Sequence, residues 1–411
     1  MNKSNNQCPI RALFIAIALT AISATAIATQ IDSTENANIR AFEHGLIDYM
    51  KRGQEDKKPQ SINKRMLAYQ VPGVSVAIIE NGKVLRSTGY GTRLNGKTLP
   101  VDADTVFSVG SVSKIINAAL ILRLVAAGKL DLDKNIDDYL TSWQVPNSSF
   151  THAHPVTLRQ ILAHTAGFNQ HGFADFQPGE RLPTTLQTLN GQSPAKHGAI
   201  KLMFTPGSKM DYSGGGITVS QLIVEEITGL TYPKAAEKYV FKPLSMQRST
   251  FQNPLPENYG NIAYAHDDKG RPAAQPRGYE AMPEMAASGL WTSANDLAKF
   301  VIALLNSSMS ENGFLPQPIA ADMMTRVTNS WHGLGPRLNG KGKTRVFHHG
   351  GANQSYRAWI EGHLASGDGI VVLTNGTNGH WIYRELRKSA EDAFAWPVKD
   401  DGGLEEPEFT Q

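Results

Sequence analysis

Three serine–lysine pairs at a spacing of three occur in this chain: Ser61 and Lys64, Ser111 and Lys114, and Ser193 and Lys196. Such a pair can be a nucleophile carrying its own base. A serine hydroxyl is a weak nucleophile at neutral pH, and an adjacent base that takes its proton during attack is the usual remedy. Lysine serves when partial burial and the positive end of a helix dipole disfavour its ammonium. Residues three apart at a helix start share one face, which brings the amine to the hydroxyl. Context separates the three pairs. Ser61 lies in a Lys/Gln/Asn-rich stretch without a following apolar run, and Ser193 precedes Pro194 in a Gly/Ser/Pro/Asn loop. Only Ser111, within Phe107-Ser-Val-Gly-Ser-Val-Ser-Lys114, runs into a long apolar stretch, Ile115 to Ala127. That helix start also offers the backbone N–H of Ser111 to a developing oxyanion. The structural alternative is an ordinary first-turn or capping serine.

Two further stretches carry residues of chemical interest. Pro206 to Gly216 places Tyr212 before Ser213 and the run Gly214-Gly215-Gly216. A tyrosine near a lysine can share its proton traffic, since each charge shifts the other's pKa; a core tyrosine beside a helix-entry loop is the alternative. Val346-Phe-His-His-Gly-Gly-Ala352 reads as a strand ending in Gly350 and Gly351, which would give a substrate a bare backbone edge, or else as a strand and a glycine turn. His152 and His154 precede Pro155 without a neighbouring acidic residue. Hydrolytic zinc sites need three convergent ligands, so no metal is expected there.

The elements that must position these residues follow from patterning. Val74, Val76 and Ile78 alternate with small residues, and Asn81-Gly82 before Val84-Leu85 signals a hairpin. Helices are expected within 39–68 (interrupted by a solvated loop at 51–58), then at 115–127, 136–140, 157–165, 217–228 and 232–240. Residues 168–203, rich in Gly, Pro, Gln and Asn, suggest loops that roof a site. Strands return at Arg345–His349, Tyr356–His363 and Gly369–Asn375, followed by a helix at Trp381–Phe394. The economical solution is α/β (α+β): a central antiparallel sheet built from both chain ends, flanked by helices, with a mostly helical lobe inserted. The lobes are placed at 35–110 with 285–398, and at 111–284, leaving a cleft between them for a ligand.

With 41% hydrophobic and 19% charged residues among 411, the chain has the composition of an ordinary globular protein. Lys3 and Arg11 precede the apolar run Ala12 to Ala28, which ends in Ala26-Ile27-Ala28. Residues 1–28 therefore read as a secretory signal peptide, with a retained membrane anchor as the alternative. Its removal would take away the one cysteine, Cys8, and two positive charges, reducing the net charge from +3 to +1. Disulfide and thiol chemistry would then be excluded, and nothing in the charge argues for nucleic acid or an anionic membrane as partner. The acidic tail 399–411 is expected to be disordered.

The order Ser111-x-x-Lys114, Tyr212-Ser213-Gly214 and His349-Gly350-Gly351 resembles the three-motif set of the serine β-lactamase and penicillin-binding-protein superfamily. Ile161-Leu-Ala-His-Thr-Ala-Gly-Phe168, Ala287-Ser-Gly-Leu-Trp-Thr-Ser293 and Phe347-His-His-Gly-Gly-Ala-Asn353 extend the resemblance over about residues 71–394. The similar branch holds class C β-lactamases, DD-peptidases, D-aminopeptidases and family VIII carboxylesterases. The resemblance implies an acyl-enzyme mechanism without a cofactor, acting on a small-molecule or peptide ester or amide. Ser111 would attack, Lys114 and Tyr212 would manage its proton, and the N–H groups of Ser111 and Ala352 would hold the oxyanion. Two departures stand out. Gly214 replaces the asparagine usual in β-lactam-processing members, and His349-Gly350-Gly351 replaces Lys-Thr-Gly, substituting a weaker, pH-dependent charge for an ammonium. Both point away from efficient β-lactam hydrolysis and towards esterase or D-peptide hydrolase members. A DD-carboxypeptidase, a class C-type β-lactamase and a non-catalytic sensor domain are the alternatives.

Overall fold

The structure, a computed structural model, describes residues 1, 37–48, 58–151, 154–273 and 281–397. The leader expected over 1–28, the tail expected over 399–411 and His152 lie outside the described residues. In chain order, helices α1 (37–44) and α2 (Ile62–Tyr69) precede strands β1 (Gly73–Glu80), β2 (Lys83–Gly91) and β3 (Phe107–Ser108). Then come α3 (Ser113–Ala126), α4 (Leu158–Leu162), α5 (Thr185–Asn190), α6 (Gly214–Thr228), α7 (Tyr232–Ala236) and α8 (Met285–Ser288). The chain closes with β4 (Trp291–Thr292), α9 (Ala294–Met309), α10 (Gln317–Met323), β5 (Arg337–Asn339), β6 (Val346–Asn353), β7 (Tyr356–His363), β8 (Gly369–Thr374) and α11 (Gly379–Ala393).

Six strands form one antiparallel sheet in the order β2-β1-β8-β7-β6-β5, so both ends of the chain contribute, as the patterning predicts. The Asn81-Gly82 turn joins β1 to β2 with both residues at positive φ, a conformation these two residue types tolerate. Strand alternation divides the core into two layers. Val74, Val76, Ile78, Trp359, Ile370 and Val372 pack under α2 and α11. Ala77, Ile79, Phe347, Ile360, Val371 and Leu373 face α9 and α3.

Helix α3 is buried on nearly every side, from Ser113 to Leu122. A helix apolar all round belongs in the interior. Its one amide, Asn117, is satisfied there: it donates to Ser220 Oγ (2.9 Å) and accepts from Tyr232 OH (3.0 Å). This fixed central helix carries the serine–lysine pair at its start. The 16-residue helix α9, which the sequence reading left unassigned, is capped by Ser293, whose side chain accepts from Asp296 N, and buries Leu297, Phe300, Val301 and Leu304 against the sheet.

Candidate active site

Of the three serine–lysine pairs, one brings its side chains together. Ser61 is the N-cap of α2 and accepts from the backbone N of Lys64 at 3.4 Å. Lys196 turns away from Ser193 to Glu180 (2.7 Å) and the Asp175 carbonyl (2.8 Å). Lys114 Nζ, by contrast, lies 3.0 Å from Ser111 Oγ. The local reason is a 3-10 turn over Gly110–Val112 immediately before α3. In such a turn positions i and i+3 eclipse, which stacks the lysine directly over the serine. Only 2% of Lys114 is exposed, and its Nζ also donates to the Ala287 carbonyl (2.8 Å) at α8. Ser111 itself stays half-buried, within reach of a ligand.

Tyr212 completes the group, with its ring centroid 4.8 Å from Lys114 Nζ. His164, in the Ile161–Phe168 phrase, holds this stretch from both sides. Its carbonyl accepts from Asp211 N (2.8 Å), its Nδ1 accepts from Ser213 N (3.2 Å), and its ring packs on the tyrosine at 4.2 Å. Ser213 then caps α6 by accepting from Gly216 N (2.9 Å). Gly214, the first residue of α6, has no room for a side chain: a Cβ would lie 2.9 Å from the Phe173 ring and 3.0 Å from the His171 carbonyl. Phe173 fills the space that an asparagine amide would need.

Strand β6 closes the site from the other side. It continues through Gly350 and Gly351 to Asn353, whereas the sequence reading ended the strand at His349. The strand persists because Gly351 lies against the nucleophile turn, where a Cβ would collide with the carbonyl oxygen of Val109. Gly110, at φ +50°, answers it: its Cβ would sit 2.8 Å from Ala352 N. These two glycines bring the Ala352 backbone beside Ser111. Strand β5 pairs only with Val346 to His348, so on that side the β6 backbone from His349 onward is unpaired by the sheet. Gly350 faces the opposite layer, where a Cβ would lie 3.3 Å from the Trp359 ring, and offers the site only its backbone.

The expected pH-dependent charge at His349 is corrected by its burial. The ring is 1% exposed, and desolvation, then the charges of Arg337, His332 and Lys114, push its pKa well below the usual imidazole value. His349 is therefore neutral. Positive charge near the tyrosine comes instead from Lys114 and from Arg337, whose Cζ lies 6.0 Å from the Tyr212 ring centroid. The sequence reading missed Arg337, His164 and His332. Four imidazoles surround Tyr212, with ring centroids at 4.2 Å (His164), 4.9 Å (His171), 6.2 Å (His332) and 6.4 Å (His349). Burial, reinforced by Lys114 and Arg337, lowers the pKa of His164, His332 and His349, and partial desolvation with the Lys114 charge shifts the more exposed His171 the same way. Among the described residues no group of three His, Cys, Asp or Glu is placed to hold a metal ion.

This geometry has counterparts in known proteins. A model of the Beta-lactamase family matches residues 48–393. The chain belongs to that family. Penicillin-binding protein 4 of Amycolatopsis lactamdurans is 25% identical over 75% of this chain and 82% of its own length. Among solved structures, the octameric penicillin-binding protein homologue from Pyrococcus abyssi superposes with a TM-score of 0.68 at 24% identity, over 80% of this chain and 75% of that one. EstCE1, described as a hydrolase with promiscuous acyltransferase activity, gives 0.65 at 20% identity over 80% of this chain and 96% of its own. The last two likenesses establish a shared fold. As a member of the Beta-lactamase family, within the serine β-lactamase and penicillin-binding-protein superfamily, the chain is a serine hydrolase.

Proposed function

We propose that this protein is an exported carboxylesterase or D-peptide hydrolase that works through an acyl-enzyme on Ser111. The Lys114 Nζ–Ser111 Oγ contact of 3.0 Å carries this reading, because it pairs the nucleophile with its own base at the only such meeting in the chain's three serine–lysine patterns. The Ser111 oxygen attacks the scissile carbonyl while its proton passes to the Lys114–Tyr212 pair. The N–H groups of Ser111 and Ala352 stabilise the oxyanion, and the leaving group departs with a proton from the same pair. Water then cleaves the Ser111 ester and the hydroxyl proton returns to Oγ. Phe173, in the space that an amide at position 214 would need, favours ester or D-peptide substrates over β-lactams.

The test is a panel on the purified mature protein: p-nitrophenyl acetate and butyrate, a chromogenic cephalosporin, D-amino-acid amides and a D-alanyl-D-alanine peptide. Turnover of esters or D-amides with slow cephalosporin hydrolysis is expected. Efficient cephalosporin turnover would favour a β-lactamase, and no turnover of any substrate a sensor domain. Export rests on the Lys3 to Ala28 leader pattern. The mature N-terminus is expected near Thr29, and a full-length chain found in the cytoplasm by mass spectrometry would refute it.

A further inference from the structure

The loop after Phe168 is laid along the first turn of α6, and the three glycines there receive it. Ser213 Oγ donates to Asn169 O (2.7 Å), Gly215 N to Gln170 O (3.0 Å) and Gly214 N to His171 O (3.2 Å). A Cβ would stand 2.6 Å from Asn169 O at Gly215, 3.1 Å from the Phe168 ring at Gly216 and 2.9 Å from Cε2 of Phe173 at Gly214. At each position the glycine leaves room that a loop residue fills. Position 214 lies two residues after Tyr212, and where it would project its own side chain the ring of Phe173 stands instead.

That ring is held in place from behind. Phe173 is half-buried, packs against the larger core cluster, and meets His197 edge-on at 5.0 Å. His197 Nε2 lies 3.9 Å from Oε1 of Glu284, whose side chain is 1% exposed. Glu284 precedes α8: its carbonyl accepts from Ala287 N and Ser288 N, each at 3.0 Å, and the Ala287 carbonyl in turn accepts from Lys114 Nζ (2.8 Å). At the base of the loop Asn169 N donates to Lys201 O (3.0 Å), and Lys201 N donates to Asn169 Oδ1 (2.9 Å). Beyond Phe173, Phe176 N donates to Ala281 O (3.3 Å). The ring is therefore fixed relative to α6 and α8, the two elements that also border Tyr212 and Lys114. His171, two residues earlier, is exposed with its ring 4.9 Å from that of Tyr212, so the segment from His171 to Phe173 edges the opening beside the tyrosine.

We propose that Phe173 is a specificity-determining residue, and that the acyl groups this protein takes are plain alkyl or aryl groups without an amide beside the scissile carbonyl. This rests on the acyl-enzyme reading and chooses within it, in favour of carboxylic esters over N-acylated D-peptides. A phenyl ring carries no hydrogen-bonding atom. An acyl amide pressed against it gives up its water without gaining a partner, which is costly. An alkyl or aryl group in the same place buries apolar surface against the ring and loses nothing. Because the loop is already tied to α6 and α8, little ordering remains to be done when substrate enters, so the discrimination is built in before binding.

The experiment compares two p-nitrophenyl esters of equal backbone length, the pentanoate and the N-acetylglycinate, which share a leaving group and differ by one amide in the acyl part. For each, kcat/KM of the purified mature protein is divided by that ester's own rate with hydroxide, which removes the difference in intrinsic reactivity. The corrected pentanoate-to-acetylglycinate ratio is expected to exceed about ten in wild type and to persist in Phe173→Leu. It should fall about tenfold in Phe173→Asn, which places an amide in the seat, and about fivefold in Phe173→Ala, which opens the seat to water. Melting curves certify folding, and a general loss of activity would scale both esters alike. Should Phe173→Asn fail to fold, the Phe173→Ala ratio decides. A ratio unchanged in the folded variant would overturn the proposal. So would a wild type that takes the acetylglycinate as readily as the pentanoate, which would hand the amide to His171 beside Tyr212. A wild type that turns over neither ester, or a Ser111→Ala variant that turns over both, would instead refute the acyl-enzyme reading.

Discussion

Gly351 and Val109 are in backbone contact across the cleft: a Cβ on Gly351 would run into the carbonyl oxygen of Val109, on the turn that presents Ser111. The strand that supplies Ala352 and the turn that supplies the nucleophile are thereby held in one register. Gly351→Ala must push them apart. A displacement near 1 Å at an oxyanion donor is expected to lower kcat by about a hundredfold, at a stability cost of about 1–3 kcal/mol. Gly350→Ala, whose Cβ would meet the Trp359 ring at 3.3 Å on the other face, should affect stability more than kcat. Steady-state kinetics and melting curves on the two variants check this, and equal kinetic losses would contradict it.

Ser111→Ala is expected to abolish hydrolysis and labelling by serine-directed phosphonates while leaving the melting temperature close to wild type. Ser61→Ala should cost about 1 kcal/mol of stability through the lost cap of α2 and leave the rate intact. Ser193→Ala should change neither. Loss of phosphonate labelling in either control would move the nucleophile away from Ser111.

Those two serines show how far the sequence carries. A spacing of three was met three times, and the following apolar run singled out the pair that touches. The hairpin at Asn81-Gly82 and the strands at both ends were readable because turn chemistry and alternation are local signals. What escaped is non-local. Gly350-Gly351 read as a strand terminus because glycine weakens strands, yet contact with the nucleophile turn demands glycine within β6. The imidazoles around Tyr212 come from positions 164, 171, 332 and 349, and no periodicity links them. Helix α9 did carry a readable signal in Ser293 and the 297/300/301/304 spacing, and the sequence reading passed over it.

Behind β6 lies a buried ionic hub that should set acid stability. Glu361, 1% exposed, accepts from Arg387 Nε (2.8 Å) and Trp359 Nε1 (3.1 Å), and pairs with His363 Nε2 (3.1 Å). Burial alone would raise its pKa, but the Arg387 charge and the His363 hydrogen bond outweigh it and hold the carboxyl well below the usual range. A depressed carboxylate pKa contributes stability that is present above the unfolded value of about 4.3 and is lost as pH falls below it. Arg387→Leu should cost about 3–5 kcal/mol at pH 7 by leaving the charge uncompensated, and should flatten the acid limb of the stability curve. Denaturant midpoints from pH 3 to 8 test this; an acid limb as steep as that of wild type would place the dependence on other groups.

The last prediction concerns charge selectivity. His349 carries none, because burial and then Arg337 hold it neutral, so the rate should show no inflection near pH 6.5 from this ring. Arg337 carries a fixed one, 6.0 Å from the Tyr212 ring at the start of β5, where the sheet edge opens towards Ser111. A substrate carboxylate bound along the β6 edge would therefore meet the Arg337 guanidinium. Arg337→Gln is expected to lower kcat/KM for a carboxylate-bearing ester about tenfold relative to its neutral methyl ester, the effect of a half-buried charge pair worth roughly 1.4 kcal/mol. With an arginine as the cation, the wild-type preference should hold from pH 5 to 9. Measuring both esters across that range decides the matter: a preference that fades through pH 6.5 would return the charge to a histidine, and one that survives Arg337→Gln would assign it to Lys114.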